Sequence, residues 1–562
     1  MSSIFSIFDV GVRGMFAQQT ALNVTGQNIA NANTENYVRQ RANLRESIPL
    51  DAFPGQLGSG VMVESITRLK DDFTDFQVIK ENQNLGYLQE KSDILQQLEN
   101  IFNEPSDKGI NSLISGFYDS LQDLSNHPEN FSARVMVKEK ALALSDGFNR
   151  TVGRINKLKS NLNESINYKV NRINAVSSEI SILNGEISKA EVGGLQNAND
   201  LRNQRDALVR SLSKMGNIHV QEADNKMISV QIGDRIIVSG KYHMNLATRN
   251  TSDNTLEVVS ETTNEKVHFS NGSLKALVEI RDQLIPEYLQ NMDTLAQAII
   301  KEINDVHVGG VGLSMYQSAE SDNSVSASNV PLVSAGLDGA MSGGNFTLSL
   351  YDANGILISE NNVSVNPLAD SLQDVATSIN GLAGFNATVT SDNKLSISTS
   401  TSTDQFSFVG DTSYSKDSSG FLKAVGLNTF FKGDNATNIT VSDTIVNDVN
   451  KIATGKTTSP GDNLNVIDLA GTREVTAVSD ATFEDYYASL VADLGIERQT
   501  SLNRYETQDM ILNTLKERQQ AESGVSFDEE AVNLIRFQRG YQASSKFITV
   551  IDGLVGSLLQ MI

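Results

Sequence analysis

Apolar side chains recur at alternating steps of three and four at both ends of the chain. Near the start, Phe5, Phe8, Val12, Met15, Gln19, Leu22, Gly26, Ile29 and Asn33 form one line. Near the end, Leu534, Phe537, Tyr541, Ser544, Ile548, Ile551, Val555, Leu558 and Ile562 form another. This alternation is the heptad pattern of a coiled-coil seam. It predicts two helices of matching length, each about 50 Å long at 1.5 Å per residue. The apolar members of the two lines are the expected assembly interface.

Between the ends the pattern changes character several times. Residues 37–70 read as an extended connector with a turn and a strand. Helical periodicity follows in Phe73–Phe102 and Ile110–Leu124. It is clearest where Ile155, Leu158, Leu162, Ile166, Val170, Ile173, Val176, Ile180, Leu183 and Ile187 share one face. A further helix is expected over Leu201–Leu212, another run over Leu274–Val306, and another over Phe483–Gln520. Strand alternation with turn residues between runs marks Ile218–Phe269. From Gly309 to Ser479 the composition shifts to Ser, Thr, Asn, Asp and Gly. There Phe346, Leu348 and Leu350 alternate on one strand face before a turn at Asp352–Gly355. Leu372, Val375 and Ile379 mark a short amphipathic helix, and Asn386–Ser400 a further pair of strands. The expected fold is α+β and multidomain: paired N- and C-terminal coiled-coil helices, a long helical rod domain and inserted β-rich outer domains. The expected boundaries are 1–36 with 525–562 for the terminal coiled coil and 37–70 for the connector. The helical rod takes 71–215, 272–308 and 480–524. The β subdomain takes 216–271, and the β-rich outer domain takes 309–479.

Charge alters how the end helices are read. The first carries only Asp9 and Arg13 before Glu35, and the last only Arg536, Arg539, Lys546 and Asp552 after Glu530. A solvated helix face is normally dense in Lys and Glu. A terminal hairpin packed on the protein's own core is one reading. A two-helix rod packed on neighbouring copies is the other, and the uncharged outer faces favour it. An isolated terminal hairpin is marginal in water, so the ends are expected to order on assembly. The whole chain of 562 residues has a formal net charge of −23. Such a molecule repels phosphate backbones and anionic lipid, so nucleic acid and membrane insertion are not expected.

Catalytic chemistry has no footing. Cysteine is absent, which excludes disulfides, thiolate metal sites and Cys nucleophiles. The five histidines, His127, His219, His243, His268 and His307, fall in different predicted elements without ligand spacing. Gly55, Gly58 and Gly60 lack the Lys-Ser/Thr pair of a nucleotide loop. No cofactor, metal or enzymatic activity is expected. The opening residues have no basic region before their apolar stretch, so they do not read as a cleaved signal peptide.

Two stretches carry a resemblance. Leu22–Arg41 (LNVTGQNIANANTENYVRQR) holds Asn28, Asn31, Asn33 and Asn36 ahead of Tyr37. Ser523–Phe547 (SGVSFDEEAVNLIRFQRGYQASSKF) includes Gln538 and Tyr541. Together they resemble the paired signature of the flagellar rod, hook and hook-associated proteins, with Asn28, Asn31, Asn33, Tyr37, Gln538 and Tyr541 as signature positions. The stretches from Asn197 to Ser213 and from Gly272 to His307 resemble the hook-associated members. The segment around Asp370–Gly381 is similar to a β-α-β module of flagellins. The resemblance implies an extracellular structural subunit of the bacterial flagellum, at the junction between hook and filament. It implies export through the flagellar type III apparatus, and a helical homo-oligomer. It further implies contacts with hook protein and hook-associated protein 3, and a cytoplasmic export chaperone on the C-terminal helix. The alternatives are another axial protein of hook type, or a surface adhesin acting through 309–479.

Overall fold

The computed structural model describes residues 2–34, 36–52, 55–102, 109–194, 196–251, 255–337, 341–410 and 417–561. Helix α1 (Ser2–Ala30) leads into strands β1 (Gln40–Glu46), β2 (Leu50–Ala52), β3 (Gly55–Leu57) and β4 (Val61–Arg68). Four helices follow: α2 (Asp72–Phe102), α3 (Ile110–Asn126), α4 (Phe131–Ala190) and α5 (Asn199–Met215). Strands β5 (Ile218–Glu222), β6 (Ile228–Ile232), β7 (Arg235–Ser239), β8 (Tyr242–His243), β9 (Leu246–Asn250) and β10 (Leu256–Ser260) come next. Helix α6 (Ser273–Glu279) runs through a π-helical turn into α7 (Ile285–His307). The next region holds β11 (Ser318–Glu320), β12 (Gly344–Tyr351), β13 (Leu357–Val365), α8 (Leu372–Asn380), β14 (Phe385–Val389), β15 (Leu395–Thr399) and β16 (Gln405–Ser407). Short elements α9 (Phe421–Val425), β17 (Phe431–Lys432), β18 (Thr440–Val441), α10 (Asp443–Asn447) and α11 (Leu464–Gly471) precede α12 (Phe483–Ser523) and α13 (Phe527–Met561). The class is α+β with a long helical domain. The chain forms two compact units, one of residues 1–94, 161–280 and 499–562, the other of 95–160 and 281–498.

In the first unit, β1 and β4 pair antiparallel and β2 and β3 make a hairpin, where the sequence predicts a single strand and a turn. The second half of α4 buries Leu162, Ile166, Val170, Ile173, Val176, Ile180, Leu183 and Ile187. Its asparagines seat the small β subdomain. Asn174 exchanges two hydrogen bonds with the backbone of Leu246, both 2.8 Å. Asn184 donates to the carbonyls of Ile228 and Gly240 and accepts from the Ile228 amide at 3.1 Å. An amide side chain satisfies strand donor and acceptor together, so a helix docks on a sheet's free backbone groups without a buried orphan. Strands β5–β8 form one antiparallel sheet, and β9 and β10 form another pair. Helix α2 packs Val78 and Leu85 against Leu512 of α12. It meets α5 at Gly86, where a Cβ would lie 2.1 Å from the Lys214 carbonyl oxygen.

In the second unit, β12 lies at the centre of the sheet β13-β12-β16, beside the sheet β11-β15-β14. Phe346, Leu348 and Leu350 are buried, but so are Thr347, Ser349 and Tyr351 on the opposite face. A central strand covered on both sides loses its solvated face. The turn after it is held by Asp352, whose carboxylate accepts the amides of Asn354 and Ile356, both at 2.8 Å. Helix α8 opens with a capping box between Ser371 and Asp374. One apolar core runs from Val308 to Leu427. Residues after it fold elsewhere. Phe430 and Phe431 pack on Phe117 of α3, with ring centroids 5.7 and 5.6 Å away, and α11 lies against α3 and α7. The strand-rich core thus occupies less than the predicted 309–479. Helix α4 also begins well before the predicted Ile155, with Val137, Ala141, Leu144, Phe148 and Val152 buried on its inner face.

Candidate assembly interface at the chain ends

Helices α1 and α13 lie side by side and antiparallel. A Cβ at Gly11 would come within 2.8 Å of Ile548 Cγ1, one at Gly14 within 3.0 Å of Ser544 Oγ, and one at Gly540 within 2.9 Å of Gln18 Cδ. The contact rests on small residues, because only they let two helix backbones approach this closely. On α1 the buried positions are Gly11, Ala17, Ala21, Val24, Thr25 and Asn28. Val12, Met15, Leu22 and Ile29 from the line of large apolar residues are half-buried, and Phe8 is exposed. Helix α1 is thus turned so that its bulky seam lies partly outside the intramolecular contact. On α13 the line read from the sequence does face α1. Leu534, Phe537, Tyr541, Ile548 and Val555 are half-buried, and Ile551 is buried. The side chains of Phe5 and Leu558, and the whole of Ile562, lie outside the described residues.

A polar knot closes the pair where the chain leaves α1. Asn28 is 1% exposed. Its Nδ2 donates to the Gln40 carbonyl at 2.8 Å and to Glu530 Oε2 at 3.2 Å. Its Oδ1 accepts from the Gln40 amide at 3.0 Å and from the Tyr37 hydroxyl at 2.9 Å. All four hydrogen-bonding sites of one amide are therefore used. Arg39 donates to Glu529 at 2.7 Å and to the buried Glu530 at 2.8 Å, and its amide donates to the Ser523 carbonyl. Gln40 reaches Asp200 at 2.9 Å and Asn199 at 3.0 Å, which ties the knot to α5. Burial pushes the Tyr37 hydroxyl pKa up to about 12, reinforced by the charges of Asp200 and Glu530. Burial pulls against the Arg39 guanidinium, yet its bonds to Glu529 and Glu530 hold its pKa above the ordinary value.

The other signature residues play smaller parts. Asn31 donates to the Gln27 carbonyl at 3.0 Å and accepts from Thr34, so it closes the end of α1. Asn36 takes a left-handed φ of 65°. Asn33 and Gln538 are exposed, and Tyr541 is half-buried against α1. Sequence reasoning missed Arg39, Gln40, Asp200 and Glu530 as members of the knot. The available signal was the acidic first turn of α13, Asp528, Glu529 and Glu530, ahead of a stretch with few charges. A second set of ion pairs supports the connector. Asp206 takes Arg68 at 2.9 Å and Lys70 at 3.1 Å, while Asp75 takes Lys70 and Arg210 at 2.9 and 2.8 Å. Burial alone would raise the Asp206 pKa, but Lys70 and Arg68 hold it below the ordinary carboxylate range.

Among the described residues no group of three or more His, Cys, Asp or Glu could hold a metal ion. No described helix is long and apolar enough to cross a membrane.

Two helices thus lie side by side with small residues of α1 at their contact, tied at one end by a polar knot, with part of their apolar surface left outside. Three family models match along the chain. Residues 8–37 match the flagella basal body rod protein. Residues 95–320 match the helical domain of the flagellar hook-associated protein FlgK, and residues 518–561 the C-terminal part of the flagellar basal body rod FlgEFG proteins. These define a structural protein of the bacterial flagellum, of the rod, hook and hook-associated class. Along its whole length the chain is similar to flagellar hook-associated protein 1. The protein of that name from Bacillus subtilis is 28% identical over 100% of this chain and 98% of its own length. Those from Salmonella typhimurium and Escherichia coli are 26% and 25% identical, each over 99% of this chain and 100% of their own length. The solved flagellar hook junction protein FlgK from Burkholderia pseudomallei shares the fold, with a TM-score of 0.53 at 15% identity. That match covers 80% of this chain and 100% of the other.

Proposed function

We propose that this flagellar hook-associated protein forms the zone between hook and filament, and that it polymerises through α1 and α13. The observation that carries this reading is apolar surface left uncovered on both helices. On α13, Val532, Ile535, Val550 and Leu554 are exposed, and they recur with Arg539, Ala543 and Phe547 at helical spacing along one side, Phe547 being partly covered because its ring also lies against Gly11 of α1. On α1, Ile7, Phe8 and Phe16 are exposed, Phe16 by 58%. Each such side chain gains roughly 1.5–3 kcal/mol when fully buried, so a neighbouring helix pair on this face supplies a strong association energy. The partners are further copies of the chain within the zone, hook protein on one side and hook-associated protein 3 on the other. Before assembly a cytoplasmic chaperone covers the C-terminal helix, because an exposed apolar stripe of this length self-associates. Export proceeds unfolded through the flagellar type III apparatus.

The test is the double substitution V550D/L554D. Both residues face away from the intramolecular contact, so the soluble chain keeps its helical content and melting profile. Cells carrying it are expected to assemble hooks without attached filaments, and to shed filament protein into the medium. Normal filaments on such cells would refute the reading.

A further inference from the structure

The segment that leaves α7, His307–Tyr316, threads through a tight crossing with Asp448–Gly455. Val311 and Gly455 exchange backbone hydrogen bonds of 2.8 and 3.1 Å, and Leu313 donates to the Asn450 carbonyl at 2.8 Å. A Cβ at Gly310 would sit 2.1 Å from Asn465 Nδ2, and one at Gly312 2.2 Å from the Asn450 carbonyl oxygen. This crossing stands at the mouth of the strand-rich core, which begins at Val308.

The crossing is built around bases rather than acids. His307 is 1% exposed. Its Nδ1 lies 2.8 Å from the Asn428 carbonyl oxygen, and its Nε2 lies 3.0 Å from the Ala453 amide. The carbonyl must receive a proton and the amide must give one. Only the neutral ring protonated at Nδ1 satisfies both. The ionisable groups near the ring come from two elements. From α4, buried Arg134 spends its guanidinium on the Pro128 and Ile452 carbonyls and the Thr454 hydroxyl, at 2.9, 2.8 and 2.7 Å. Its hydrogen-bond partners are thus all neutral, and the carboxylates of Asp448 and Glu129 act on it only as charges at longer range. From 448–455, Lys451 donates to the Ser314 and Met315 carbonyls and lies 4.0 Å from the Tyr316 ring centroid. Asp448 is occupied by Ser314 at 2.6 Å and by the Asn450 amide. The 428–430 side offers no charge, with the Phe430 ring edge-on to His307 at 5.5 Å.

We propose that this crossing is an acid-sensitive joint: protonation of His307 opens the contact of 307–316 with 448–455 and loosens the attachment of the strand-rich module. A proton at Nε2 turns the Ala453 contact into two donors facing each other. It also places a second cation beside Arg134, where no carboxylate is hydrogen-bonded to either group. Burial and the Arg134 charge pull the His307 pKa from 6.5 down to about 4. A histidine whose folded pKa is depressed contributes stability that is complete above its unfolded pKa and lost as pH falls toward the folded one. The window is therefore from about pH 6.5 down to 4. Between pH 7 and pH 5 the opening equilibrium of the joint should rise about 20-fold from this one group.

The test is amide hydrogen exchange of the full-length chain at pH 7 and pH 5, corrected for intrinsic exchange rates. Amides of 311–316 and 450–455 should lose about 20-fold in protection, while amides of α4 at 166–180 keep theirs. His307→Gln keeps a donor and an acceptor but does not titrate, and should abolish the differential loss. An unchanged wild-type profile, or the same loss in H307Q, would overturn the proposal. Should H307Q not fold, the wild-type ring followed by NMR decides. A His307 that titrates near 6.5 while 311–316 stays protected ends the proposal, and titration in step with the loss of protection sustains it.

Discussion

A single amide, Asn28, is where the two ends of the chain are tied. Its four hydrogen bonds serve the connector backbone, Tyr37 and Glu530. Asn28→Ala takes this partner from the Gln40 amide and carbonyl in a buried place, and one hydrogen bond from the Tyr37 hydroxyl, which keeps its contact with the Gln40 side chain. At about 1 kcal/mol for each net bond, with more for groups left unsatisfied, the loss should be about 2–4 kcal/mol in urea unfolding. Asn28→Asp is the sharper probe, because it removes the donor and sets a carboxylate beside Glu530. It should cost at least as much as alanine near pH 7 and recover part of that loss as pH falls through the carboxylate range. Equal stability of the Asp variant and the natural chain at pH 7 would show that Glu530 does not feel residue 28. The sequence made the Asn-rich end of α1 visible, since Asn31 and Asn36 act within a few positions of themselves. It did not reveal Glu530 as Asn28's partner, 502 positions away, because local spacing carries no trace of so distant a contact.

Among the elements, what was legible depended on size of side chain. Long helices with bulky periodic faces, α2, the second half of α4, α5 and α12, stood out because Leu and Ile dominate any hydrophobic pattern. The face of α1 that meets α13 did not, since Gly11, Gly14, Ala17 and Ala21 are chosen for closeness of approach and not for apolar surface. The fold of 428–471 onto α3 and α7 was hidden for another reason: Phe430, Phe431 and α11 find their partners only in three dimensions. Glycines separate these cases experimentally. Gly86 meets a backbone carbonyl, so Gly86→Val must push α2 away from α5 and should destabilise by several kcal/mol, as overpacked contacts between fixed backbones do. Gly153 of α4 has nothing within 4 Å of a would-be Cβ. Gly153→Ala should instead stabilise by roughly 0.5–1 kcal/mol, the helix-interior cost of glycine. Thermal melts of the two variants should move in opposite directions, and movement in the same direction would contradict these placements.

At the scale of the whole molecule, charge and apolar surface act against each other. A formal net charge of −23 makes copies repel at distance, yet α1 carries only Asp9 and Arg13, and α13 beyond Glu530 has three basic residues and one acidic. The proposed contact surface is thus nearly free of the charge that fills the rest of the chain. Such a molecule associates when long-range repulsion is screened and short-range apolar contact takes over. The Debye length falls from roughly 30 Å at 0.01 M salt to about 10 Å at 0.1 M, which spans the distances at which helix pairs first approach. Purified chain should therefore self-associate faster as salt rises over that range, followed by light scattering at constant protein concentration. In V550D/L554D the same salt step should yield little, because screening removes repulsion but cannot supply missing apolar area. Association that slows with salt would mean that ion pairs between copies hold the assembly, and the exposed stripe of α13 would then need a different role.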